Sequence, residues 1–127
     1  MNSAKKIYMA HLLAADPEIA SDIRFRVGPR GWNNDSTLVI VDRIGGAPED
    51  DITVDNVLFV NKCYGGSDDD LDADAVADLL IDNIRAIYMT SNGKGRFIRG
   101  TVLNRFDSTD PDFECPVVTV MVEVSTQ

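Results

Sequence analysis

Histidine and tryptophan occur once each, at His11 and Trp32, and cysteine twice, at Cys63 and Cys115. A structural zinc site takes four closely spaced sulfur and imidazole ligands, so this stock is too small and too scattered to build one. The cysteines are also too far apart for a Cys-x-x-C redox pair. They read as two reduced thiols on strands, in a protein made in a reducing cytoplasm. Positive charge is short as well. Lys and Arg number 12 against 21 Asp and Glu, for a net charge of −9 and a pI near 4.4. A duplex-binding surface needs clustered cations to displace phosphate counterions, and this balance excludes one. It leaves room for a surface past which DNA slides without sticking. Long apolar runs are missing too, so no membrane span of ~20 residues is expected. Ile7 to Ala15 follows Lys5 and Lys6 like the core of a secretion signal, but His11 interrupts it and Asp16-Pro17 closes it. That pattern predicts an amphipathic helix.

What remains is an ordinary folding composition. The 127 residues are 44% hydrophobic and 26% charged, which suits a single domain over residues 1–127 with a two-layer core. A first helix is predicted from Ser3, its cap, to Ala15. Ala4, Ile7, Tyr8, His11, Leu12 and Ala15 form its buried stripe. Ile23 to Val27 alternates like a short strand or an extended arm. Gly28 to Asp35 is a polar loop carrying Trp32. Strands follow over Leu38–Ile44 and Thr53–Tyr64, the second with Val57, Phe59, Asn61 and Cys63 on one face. A second helix is predicted over Asp72–Met89, burying Ala73, Val76, Ala77, Leu80, Ile84, Ile87 and Tyr88. Asp74, Asp78, Asp82 and Arg85 face water. Two more strands, Arg96–Asp107 and Phe113–Val124, close the chain, the last with Val118, Val120, Val122 and Val124 on one face. The order is α-β-β-α-β-β. It predicts an α+β fold in which two main helices pack on a mostly antiparallel sheet of about four strands.

No residue set for catalysis stands out, and no enzyme activity or cofactor is expected. His11 lies on an apolar stripe, where a packed imidazole is commoner than a catalytic one. No serine or cysteine sits in a nucleophile elbow. Asp70, Asp72 and Asp74 have the 1, 3, 5 spacing of a calcium loop, but Ala75 replaces its glycine and Ile81 its glutamate. The run therefore reads as a helix cap and first turn, with no metal site. Gly93-Lys94-Gly95 precedes a strand, whereas a phosphate-binding loop opens a helix. Two other classes stay open at this point, a carboxylate-based enzyme and a small metal- or ligand-binding module.

The candidate functional residues are those of a subunit interface. Arg96, Arg99 and Arg105 are expected on one strand face, opposite Ile98, Val102 and Phe106. Such a stripe should find carboxylates in the same chain or the next one. Arg26 and Arg30 flank Trp32, which suits either an exposed interface anchor or a ring covering the edge of the core. Candidate acidic partners are Glu49-Asp50-Asp51 and the turn from Asp107 through Asp110 to Asp112.

Taken from end to end, the chain resembles the tail terminator (tail completion) proteins of long-tailed bacteriophages. The likeness rests on a short helix ending in Ala15-Asp16-Pro17-Glu18-Ile19-Ala20, then Ile23-Arg24-Phe25-Arg26-Val27. The strand Leu38 to Gly46 follows. A second strand ends in Cys63-Tyr64-Gly65-Gly66 and leads into the alanine-rich helix Ala73 to Ile87. A final hairpin carries an acidic tip. Head–tail connector proteins share much of this outline. The resemblance implies a virion structural protein at the head–tail junction, forming a homo-oligomeric ring of about six subunits. Its implied partners are the tail tube protein below and the head–tail connector above, with DNA passing through the channel unbound.

Overall fold

A computed structural model of the chain describes residues 4–15, 18–26, 31–32, 35–46, 55–67, 71–91 and 96–126. Its elements are α1 (Ala4–Ala15), β1 (Asp22–Phe25), β2 (Leu38–Gly46), β3 (Asp55–Tyr64), α2 (Ala73–Arg85), β4 (Tyr88–Ser91), β5 (Arg96–Asp110) and β6 (Cys115–Thr126). The α+β class and the two helices are as expected. The sheet has six strands, not about four, in the order β1-β2-β3-β6-β5-β4. Its pairings are antiparallel except β1 with β2.

The two extra strands have four residues each and lie at the sheet's two edges. So short a segment barely shows an alternation. β4 was masked by a helical pattern: Ile87 and Tyr88 continue the apolar stripe of α2. The helix instead stops at Arg85, where the Ala86 N–H caps it on the Asp82 carbonyl and the Ile87 N–H bonds to Ile84. Tyr88 then turns outward and is 78% exposed, contrary to its expected burial. The predicted helix cap Ser3, the helix stop at Asp16-Pro17, the first residues of the strand from Thr53, and Val27 lie outside the described residues.

Both helices cover one face of the sheet. The core between them holds Ile7, Tyr8 and Leu12 of α1, and Val76, Leu80 and Ile84 of α2. These meet the valines of β6 and Val57, Phe59 and Cys63 of β3. Tyr8 stacks on Phe59 with ring centroids 4.2 Å apart. Its hydroxyl donates to Asn61 Oδ1 at 2.8 Å, and Asn61 Nδ2 donates to the Val120 carbonyl at 3.2 Å. That chain of bonds satisfies a fully buried amide, which would otherwise cost about 1–3 kcal/mol. Cys63 lies beside it, and burial pushes its thiol up to about 12, so it stays protonated and unreactive. Gly100 of β5 lets α2 lie directly on the strand, because a Cβ there would come within 2.5 Å of the Ile84 carbonyl oxygen.

The opposite face carries a smaller cluster at one end. Trp32, Leu38, Ile40, Tyr64 and Val117 pack there, with Phe113 and Cys115 against them. Trp32 is 5% exposed, so it covers the core edge and is not a protruding anchor. Its indole N–H donates to the Ser36 carbonyl, and its ring meets Tyr64 and Phe113 edge-on at 5.0 and 5.4 Å. Gly66 permits the close approach of this loop, since a Cβ there would collide with the Ser36 and Thr37 backbone.

Candidate functional site

The charged residues singled out in the sequence do not gather on one face. β5 is bulged between Val102 and Asn104, with another register shift between Phe97 and Arg99. A bulge inserts one residue and reverses which side chains point to which face. Arg105 therefore lies opposite Val120, on the helix-covered face, while Arg99 lies opposite Ser125 on the uncovered one. The expected common face of Arg96, Arg99 and Arg105 is corrected accordingly. Alternation alone cannot reveal a bulge.

Arg105 finds its carboxylates within the chain. It bonds Asp78 through Nη1 and Asp74 Oδ1 through Nη2 at 3.0 Å. Hydrogen bonding to Asp78 first, then to Asp74, holds the guanidinium above its usual pKa. One arginine thus ties β5 to two successive turns of α2. Arg99 is exposed, and no ion pair joins it to the described residues. Arg96 begins β5. Arg26 follows β1 with a left-handed backbone (φ 58°) and pairs with Asp42 at 2.7 Å. Arg30 and Glu49-Asp50-Asp51 lie outside the described residues.

The acidic candidates divide in the same way. Asp107 is exposed, opposite Val118. Asp110 shapes the β5–β6 turn: its Oδ1 accepts the N–H groups of Asp112 and Phe113 at 2.9 and 3.0 Å. Its Oδ2 accepts the Tyr64 hydroxyl at 2.8 Å. Burial works against ionisation of Asp110, but these hydrogen bonds outweigh it and lower the pKa. Its clearest task is therefore to hold the hairpin over the Trp32 cluster. Nothing in the sequence marked Tyr64 as its partner, 46 residues away.

Asp72 is the N-cap of α2, its side chain accepting the Ala75 N–H at 2.8 Å, as the helix-start reading of the acidic run expected. Asp68 to Asp70 lie outside the described residues. A cleft of about 710 Å³ opens at this helix start, with Asp72, Asp74 and Asp107 on its rim. Among the described residues no three His, Cys, Asp or Glu side chains are grouped to hold a metal ion. No helix among them is long and apolar enough to cross a membrane.

His11 bridges the helices, its Nε2 lying 2.9 Å from Asn83 Oδ1. Burial lowers its pKa, and the bond to Asn83 opposes this only in part. The unfolded chain then binds the proton more readily, near pH 6.5. Stability from this site should be complete above that pH and lost as pH falls through the folded-state pKa. Denaturant titrations at pH 7.5 and 5.5 should show the drop, and His11→Gln should reduce it. An identical drop in His11→Gln would assign the pH dependence to other groups.

With this geometry in hand, comparison with known proteins is informative. The chain matches no protein-family model and no curated protein sequence. It does match a chain in a solved structure described as the virion of a native gene transfer agent (GTA) particle. The TM-score is 0.59 at 14% identity, over 98% of this chain and 94% of that one. The likeness is one of fold. It runs nearly the full length of both chains.

Proposed function

We propose that this chain is a structural subunit of a phage-type virion, forming a ring of about six copies that caps the tail tube. The ring ends tube growth, seats the head–tail connector, and leaves an open channel for DNA. The carrying observation is the nearly full-length fold likeness to a chain of a gene transfer agent virion. It agrees with the order of elements that resembles tail terminators. The strongly negative charge fits the same role. Net negative charge repels the DNA backbone, as a conducting channel requires.

Native mass spectrometry of the purified chain, alone and with added tail tubes, tests this reading. The expected species has about six times the 13.9 kDa chain mass. A monomer or dimer under both conditions would contradict it.

A further inference from the structure

A closed ring needs two different surfaces on each subunit, related by rotation alone. The sheet offers such a pair. β4 covers β5 only over Arg96–Arg99. From Gly100 to Asp110 the outer edge of β5 has no strand beside it among the described residues. At the other end of the sheet the outer edge of β1 has no strand beside it among the described residues either. An open edge presents unpaired N–H and C=O groups, a template for another strand.

The two open edges lie at the same level of the sheet. Following the register across, Asp22 pairs with Leu38, Leu38 with Tyr64, Tyr64 with Val117, and Val117 with Ser108. Similarly Phe25 leads through Val41, Asn61 and Val120 to Arg105. β1 therefore stands level with Arg105–Ser108, inside the open stretch of β5. The strand directions also agree. β1 runs parallel to β2, and three antiparallel steps from β2 to β5 leave β5 opposed to β1. A second copy rotated beside the first brings β1 antiparallel to β5 without sliding along the strands.

Beside β5 a groove of about 420 Å³ runs under α2, lined by Asp78, Ile81, Asp82, Arg85, Val102 and Arg105. Arg105 already holds Asp78, so Asp82 is the exposed carboxylate there with no ion pair among the described residues. On the other edge, the first turn of α1 has no acidic residue, and Lys5 and Lys6 are exposed. Lys5 lies 4.5 Å from the centre of the Phe25 ring of β1, so its charge sits at that edge. A lysine stem can lie on the apolar wall of Ile81 and Val102 while its ammonium meets Asp82.

We propose that β1 of one copy adds antiparallel to the open stretch of β5 on the next copy, with Lys5 of α1 facing Asp82 of α2. The proposal rests on the ring reading and specifies its subunit contact. Asp82→Lys sets like charges against each other across this contact, and so does Lys5→Glu. Each variant should cut the assembled fraction about tenfold at a concentration where the native chain assembles. The two changes together should restore assembly, which a folding defect would not allow. Amide exchange within Gly100–Asp110 should also slow on assembly. Rings that tolerate each reversal, or losses the combination does not restore, overturn this contact and leave the ring reading intact. So do rings in which those amides exchange as fast as in the monomer. A native chain that never assembles overturns both.

Discussion

Leu80→Ala should lower the unfolding free energy by about 2–5 kcal/mol, the range for a large side chain removed from a packed core. Leu80 is fully buried on the face of α2 that meets the sheet, between Val76 and Ile84. α2 lies across β3, β6 and β5, so a cavity at Leu80 loosens the contact that joins the helix to three strands. Asp78→Ala, on the same helix, should cost no more than about 1 kcal/mol. Its carboxylate pairs with Arg105, but it is 67% exposed and water screens the pair. Chemical denaturation of the two variants checks the contrast. Equal losses would mean that the buried stripe of α2 is misassigned.

The second large effect is expected on the other side of the sheet. Trp32→Ala should cost about 3–5 kcal/mol, because the indole fills the small cluster against Tyr64 and Phe113. Trp32→Phe keeps part of that packing and loses the bond to Ser36, so its cost should be nearer about 1–2 kcal/mol. Denaturation midpoints measured at one pH give both values. A Trp32→Ala chain as stable as the native one would show that the ring only rests on the surface.

Much of this architecture was written in hydrophobic periodicity. The valines of β6, the 57-59-61-63 face of β3 and the Val76-Leu80-Ile84 stripe of α2 are strong signals, and each is buried as its pattern predicts. Short edge strands were harder to read. β1 could be taken for an arm, and β4 was hidden by Ile87 and Tyr88, which fit a helical stripe and a strand equally well. The candidate interface residues were the least legible. Their placement depends on the β5 bulges and on contacts such as Arg105 with Asp78 and Tyr64 with Asp110, which span 27 and 46 residues. Local patterns carry no information about which distant carboxylate an arginine will meet. Nor could they show that β1 and the open stretch of β5 stand at one level, because that follows only from the register of four successive pairings.

Electron microscopy of particles assembled with and without this chain tests the proposed closing of the tail. Expected without it are filled heads lacking tails beside free tails of irregular, often excessive length, both corrected when the chain is supplied in trans. Intact particles with joined tails of normal length would contradict the proposal.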